Sequence, residues 1–258
     1  HFIVEHWIDL SLDFNKGISP SCERHCAYPS FKPLSTILLA LDTSEQACSV
    51  ALSVSGDCLY RQCIRPREHT KMIWPMIHAL LAEAELKLSM LDAVVCGQGP
   101  GSFTGLRVAC SVAQGIAVGL DCPIVPLNTL ECLAYGGWHR SKHVRIWPMM
   151  DARMGGVYTA VYAFDSNQMK CLSPMQVLPY DALDQVSQAL SGSEGFYAVG
   201  SAWPLETVSA WCEQAEEVLD TGPILPEDLM HLGAVRYAQH AHVNAIDFKP
   251  IYLRRSVQ

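Results

Sequence analysis

The sequence predicts an α/β fold of two related lobes, each a mixed sheet with helices packed on it. Three observations carry that prediction. The regular part of the chain opens with three strand-like segments and continues in the order βββαβα. A second set of three begins near Val144 and places Asp151-Ala152-Arg153 where the first set has Asp42-Thr43-Ser44. Between the sets, the turn Gly99-Pro100-Gly101-Ser102-Phe103-Thr104-Gly105-Leu106-Arg107 joins an apolar strand to a long apolar helix. Strands and helices that alternate in this way build layered sheets covered by helices.

The first lobe is assigned to residues 36–143. Thr36–Ser44, Ala47–Ser55 and Cys58–Ile64 read as strands separated by Glu45-Gln46 and Gly56-Asp57, spacings that suit antiparallel hairpins. Glu68–Leu86 reads as an amphipathic helix with His69 at its start. Met72, Ile73, Met76, Ile77, Leu80, Leu81 and Ala84 fall on one face, with Trp74 and His78 off it. Such a stripe serves either a core or an adaptable interface. Leu91–Cys96 is a short buried strand, Val108–Leu120 a helix and Cys122–Pro126 a further strand. On the Val108–Leu120 helix, Ala109, Val112, Ala113, Ile116 and Ala117, with Gly115 and Gly119, are small enough for another helix to approach closely.

Two readings of the glycine turn stand side by side. Amides turned inward ahead of a helix N-terminus make an anion cradle. Equally, Gly99, Gly101 and Gly105 serve a tight turn packed against another backbone, with Pro100, Ser102 and Arg107 completing it. The turn is not a P-loop, because no Lys follows its last glycine, nor is it a clean dinucleotide fingerprint.

The second lobe is assigned to residues 144–258. Val144–Met150, Gly156–Phe164 and Cys171–Leu178 are strands; Tyr180–Leu190 and Ala202–Ala215 are helices around a short strand, Phe196–Val199. Pro226–His242 is a final helix with proline at its entry, and Lys249–Arg255 is an extended basic tail. Residues 1–35 lack a clean period and carry three prolines, and the first methionine is Met72, so this stretch reads as an added or disordered extension. Cys22, His25 and Cys26 lie close together in it, but no second pair of ligands completes a zinc site.

Composition narrows the function classes. A net charge of -8 argues against autonomous nucleic-acid binding, which needs clustered Lys and Arg. No run of eighteen apolar residues marks a membrane span. Eleven cysteines, most of them single within apolar runs, fit core thiols in a reducing cytoplasm. Asp42 and Asp151 are the candidate carboxylates, one at each lobe entrance, with Thr43 and Ser44 beside the first. Asp42-Thr43-Ser44-Glu45 has no glycine to bring amides to a phosphate, and Glu45 adds negative charge. His139 and His143, in a cationic segment read as a loop, and His240 and His242 near a helix end are read as solvated surface residues. Ser44, Ser102 and Thr104 have no base at recognisable spacing.

Together, Ile37–Ser44, Glu68-His69-Thr70, Gly99–Arg107, Asp151-Ala152-Arg153-Met154 and Pro250-Ile251-Tyr252-Leu253-Arg254 closely resemble the bacterial TsaB family, over about Thr36 to Arg255. The resemblance implies a two-lobed actin-like, Hsp70-like (ASKHA) fold, also called glycoprotease-like. It implies a part in making threonylcarbamoyladenosine next to the anticodon of tRNAs that read codons beginning with A. In that family the paralogue TsaD is the catalytic subunit, TsaB is its dimerisation partner, and the ATPase TsaE joins them. The catalytic relatives hold a metal through two histidines at i, i+4 after the second helix. Here that region reads Val125–Cys132 and has no such pair.

The expectation is therefore a noncatalytic cytoplasmic subunit with no metal and no cofactor, meeting tRNA only through the complex. Asp42, Thr43, Ser44 and Asp151 mark a vestigial nucleotide site. The resemblance places the partner interface on the two helices of the first lobe, at His69, Met72, Ile73, Met76, Ile77, Leu80, Ala109, Val112, Ala113, Ile116 and Ala117, with a homodimer through the same surface when TsaD is absent. The alternative is an actin-like ATPase or phosphotransferase using Asp42 and Asp151, with a metallopeptidase third.

Overall fold

A computed structural model describes residues 36–153, 155–165, 168–190, 195–220 and 222–253. The 1–35 extension with Cys22, His25 and Cys26, and also Met154, Arg254 and Arg255, lie outside the described residues.

Two five-stranded sheets carry the same topology. In the first, β1 (Leu38–Asp42), β2 (Ala47–Val54), β3 (Asp57–Ile64), β4 (Ala93–Gly99) and β5 (Ile124–Asn128) take the order β3-β2-β1-β4-β5. In the second, β6 (Arg145–Asp151), β7 (Gly156–Asp165), β8 (Gln168–Pro179), β9 (Tyr197–Val199) and β10 (Glu217–Asp220) take the order β10-β9-β6-β7-β8. In each, the first strand pairs antiparallel with the second and parallel with the fourth. The internal repeat expected from the two aspartate turns is thus the repeat of the fold.

Several boundaries differ from the sequence reading, each for a local reason. β1 ends at Asp42, whose carboxylate turns back to accept from the Ser44 amide (3.0 Å) and hydroxyl (2.9 Å). The β2–β3 hairpin turns at Ser55-Gly56, both with positive φ (53° and 92°), which matches the twist of the flanking strands. The helix α2 spans Phe103–Leu120 and so begins at the end of the glycine turn, with Ser102 as its N-cap; Gly105 and Arg107 are helical residues, not turn residues.

The segment read as a cationic loop is a helix, α3 (Thr129–Ser141), capped by Asn128, whose Oδ1 accepts from the amides of Leu130 (2.8 Å) and Glu131 (3.4 Å). In the second lobe the two expected helices shrink to short turns, α4 (Asp184–Ser187) and α5 (Ser209–Cys212), and β10 is a strand that sequence reading passed over. The last helix, α6 (Pro226–Ala238), stops short of His242, with His240 left-handed at φ 57°.

Two helices cross the expected boundary at residue 143. α3 belongs by sequence to the first lobe but packs on β6, β7 and β9, while α6 returns from the end of the chain to cover β1, β2 and β5. Between them runs a polar seam. Arg140 Nη1 meets the buried Asp228 at 2.7 Å, Arg236 meets Glu131 at 3.4 Å, and the Tyr135 hydroxyl bonds His231 Nδ1. A Cβ on Gly136 would come within 1.9 Å of Asp228 Oδ2, which is why glycine interrupts this helix.

One core fills the space between the sheets around α3 and α6, and joins residues of both lobes, from Leu38 and Val95 to Ile146 and Phe164. The outer face of the first sheet is covered by α1 (His69–Glu83) and α2. The outer face of the second is filled instead by aromatic bulk: Trp147 and Trp203 edge to face at 5.5 Å, with Phe196 and Trp211 against Trp147.

Candidate functional site

The glycine turn and the turn after β1 are built into one another. Thr43, fully buried, donates from Oγ1 to the Gly105 carbonyl (2.7 Å), and the Ser102 amide donates to the Ser44 carbonyl (2.6 Å). A Cβ on Gly105 would lie 1.9 Å from the Thr43 carbonyl oxygen, and one on Gly101 2.3 Å from that of Ser44. These glycines are glycine because another backbone occupies the space beside them.

That geometry decides between the two readings of the turn. The space beside the start of α2 holds the carbonyl oxygens of Thr43 and Ser44, negative dipole ends that compete with an anion, so the phosphate-cradle expectation gives way to the packed turn. At Gly99, with φ 106°, a Cβ would fall 2.9 Å from the Ile251 carbonyl; the tail pairs there, with the Ile251 amide donating to Gln98 O (2.7 Å). Arg107 stacks 3.9 Å over the Phe103 ring, and its Nε donates to the Tyr252 hydroxyl (3.4 Å).

The two candidate carboxylates have different surroundings. Asp42 is 3 % exposed, and its Oδ2 is buried with no hydrogen-bond partner among the described residues. Burial drives its carboxyl up from 3.8 to about 6, against the pull of the Ser44 amide and hydroxyl. Gly97 permits this placement, since a Cβ there would lie 2.0 Å from Asp42 Oδ2. Asp151 is exposed at the end of β6 and accepts from the Arg153 amide (2.7 Å).

The lobe entrances are joined by a residue that sequence reading counted only as an unhelpful charge. Glu45 Oε1 accepts from the Ser201 hydroxyl at 2.6 Å, and Ser201 Oγ also accepts from the Asp151 amide at 3.5 Å. The Glu45 carboxylate thus bridges the two entrance turns through Ser201. Asp42, Thr43 and Ser44 serve as internal structure, not as an open nucleotide site.

The helix face needs a second correction. Ile73, Met76, Ile77 and Leu80 on α1, and Ala109, Ala113, Ile116 and Ala117 on α2, are at most 3 % exposed and pack in the chain's own core under the first sheet. His69 is 9 % exposed; burial lowers its pKa, opposed by a hydrogen bond with the Glu45 backbone. Met72 and Val112 lie half-buried at the rim.

An apolar helical stripe goes first to the sheet beneath it, so the outward faces are the complementary ones. These carry Thr70, Trp74 and His78 on α1, and Ser111, Gly115, Val118 and Gly119 on α2. Val118 is 71 % exposed, and Trp74 stacks on His78 at 5.9 Å. α2 is long and apolar enough on average to match a membrane span in length and composition, but its inner face is committed to the sheet.

The histidines also divide. His240 and His242 are exposed as expected. His139 is half-buried among Tyr135, Trp138 and His231, and burial lowers its pKa to about 4, with His231 and the Lys142 and Arg140 charges adding to the effect. His143 lies 3.4 Å from Glu216 and against the Tyr197 ring. Among the described residues no three His, Cys, Asp or Glu side chains are grouped to hold a metal ion.

Two lobes of one repeated topology, with the entrance turn closed by its own backbone, define the chain as an actin-like protein of the glycoprotease-like type. The family model for the tRNA N6-adenosine threonylcarbamoyltransferase TsaD matches residues 64–198. The tRNA threonylcarbamoyladenosine biosynthesis protein TsaB of Escherichia coli is 35 % identical over 227 residues, 85 % of this chain and 95 % of that protein. TsaB of Haemophilus influenzae is 34 % identical over 232 residues, 85 % and 94 % of the two chains. Among solved structures, YeaZ from Pseudomonas aeruginosa superposes with a TM-score of 0.75 at 32 % identity, covering 84 % of this chain and all of that one. The chain belongs to the TsaB family.

Proposed function

We propose that this chain is the noncatalytic partner of a TsaD transferase, pairing with it through the outward faces of α1 and α2 so that threonylcarbamoyl transfer to tRNA adenosine takes place on TsaD. The family places it in that pathway, and the closed entrance turn leaves Asp42 buried within the chain's own structure. In the same reading TsaE joins the pair, tRNA is met within the complex, the compartment is the cytoplasm, and two copies of this chain pair through the same face when TsaD is absent. Buried thiols such as Cys48, Cys96, Cys110 and Cys132 suit that compartment.

One observation carries the interface. Gly115 and Gly119 lie one turn apart on the exposed face of α2, and a Cβ at either would meet nothing within 4 Å. Glycine inside a helix costs about 1 kcal/mol relative to alanine, so the chain on its own gains nothing from two of them there. A second helix brought close to α2 does gain, and the exposed Val118 on α2 and Trp74 on α1 supply apolar area at about 25 cal/mol per Å².

This gives a test in which stability and function move in opposite directions. Gly115→Arg places a good helix former in open space, so the isolated chain should gain about 1 kcal/mol in urea unfolding. The same variant should lose co-purification with TsaD and fail to support threonylcarbamoyl transfer. A variant that pairs and supports transfer like the wild type would remove α2 from the interface.

A further inference from the structure

The turn after β1 also reaches into α2, through one side chain. The Thr43 hydroxyl donates to the Gly105 carbonyl at 2.7 Å and accepts from the Ala109 amide at 3.2 Å. Those two groups are i and i+4 along α2, the pair that an undisturbed helical ladder joins directly. A hydroxyl bonded to both ties the first turns of α2 to the turn after β1, and a side chain bonded into the ladder in this way bears on the direction of the helix.

That tie is held from both sides. Ser44 O takes the Ser102 amide at 2.6 Å, and Gly101 and Gly105 leave no room for the turn to shift without striking their backbones. On the far side, Glu45 is tied at 2.6 Å to Ser201, just beyond β9 in the second lobe. A continuous line therefore runs from the second lobe through Ser201, Glu45 and Thr43 into the first turn of α2.

We propose that Thr43 is a positioning residue for partner docking: its hydroxyl sets the direction of α2, and the Glu45–Ser201 bond makes that direction depend on how the two lobes sit against each other. The position that presents phosphate in an actin-like fold is here a mechanical link to the docking helix. The inference rests on α2 being part of the docking face. It goes further by assigning that face a determinant outside it, in the buried Thr43 and the half-buried Glu45 and Ser201.

Thr43→Val, Thr43→Ser and Ser201→Ala test it in the full chain, with two readouts: amide NMR shifts of residues 103–110 in the isolated protein, and affinity for purified TsaD well below the melting temperature. Valine keeps the shape and removes the hydroxyl. The expected result is displaced amides through the first two turns of α2 and a Kd about tenfold weaker, with Thr43→Ser restoring both. Ser201→Ala, which cuts the line at a half-buried site in the other lobe, should weaken binding about threefold and move the same amides less.

A merely structural threonine would lower the melting temperature and leave the Kd of the folded protein unchanged. A folded Thr43→Val with Kd within about twofold of wild type overturns the proposal. If that variant does not fold, unchanged amides and Kd in Ser201→Ala overturn it instead. The Gly115→Arg control separates the two levels. Loss of binding there with none in Thr43→Val removes only the positioning role, whereas wild-type binding in Gly115→Arg removes the docking face and this inference with it.

Discussion

The two lobes share one strand order and differ in what they lay over it. The first covers its outer sheet face with two full helices, α1 and α2, whose inner sides carry the core and whose outer sides are open. The second replaces those helices with short turns and fills the same layer with Trp147, Trp203, Trp211 and Phe196. A helix has an outer face to offer a partner; a cluster of buried indoles does not. The entrance turns diverge in parallel: Asp42 is buried against Gly97 of β4, whereas Asp151 stays at the surface. Under the proposed pairing one lobe is the docking half and the other its buttress, a division of labour that equal topology would not by itself reveal.

The largest expected effect separates the inner from the outer side of α1. Met76→Asp puts a carboxylate where the side chain is 1 % exposed, beside Ile73, Ile77 and Leu80, and should cost about 4 kcal/mol or more. The chain should lose its cooperative unfolding transition by circular dichroism, and with it any pairing. Trp74→Glu, on the outer side of the same helix, should leave unfolding within about 0.5 kcal/mol and affect pairing only. Equal effects on folding from the two substitutions would erase the distinction between the faces.

Sequence reading caught the lobes, the repeat and the first-sheet strands because those depend on local alternation and on turns. It put the expected interface on the inner faces of α1 and α2, which pack in the chain's own core. The stripe from Ile73 to Leu80 is a period that a sheet and a partner would both satisfy, and only the fold shows the sheet claiming it. Trp74 and His78 were visible as residues off that stripe, and Gly115 and Gly119 as places where a helix can approach. α3 went unseen because Gly136 and Gly137 look like a loop, and the reason for them, Asp228 and Val199, lies far along the chain. The Glu45–Ser201 bond, across 156 positions of sequence, was invisible on the same ground.

The middle-sized effect sharpens the contrast between the entrance turns. With its carboxyl raised from 3.8 to about 6, folded Asp42 holds its proton more tightly than the unfolded chain does. Stability linked to this group is therefore fully present below about pH 4 and is lost as pH rises through 6, in total about 3 kcal/mol at 1.36 kcal/mol per pKa unit. Urea unfolding of wild type and Asp42→Asn from pH 4 to 7 isolates it. The amide brings its own pH-independent offset, so the difference between the curves is the readout. Wild type should fall relative to Asp42→Asn up to about pH 6.5 and then run parallel to it. Curves parallel throughout would mean that burial does not raise the Asp42 carboxyl above its value in the unfolded chain.

The smallest effect is expected at the other entrance. Among the described residues the Asp151 carboxylate holds the turn to Arg153, through an exposed 2.7 Å bond, and its loss there exposes no core and strands no buried group. Asp151→Ala should change stability by less than about 1 kcal/mol. If pairing with TsaD depends on α2 and on the line from Ser201 through Glu45 to Thr43, the variant should also pair normally, since its backbone amide remains to meet Ser201 Oγ. A chain that used both aspartates to steer phosphate would respond in the same way to loss of either one. Strong loss of complex activity in Asp151→Ala with folding intact would restore a functional cleft, and would make the second lobe more than a buttress.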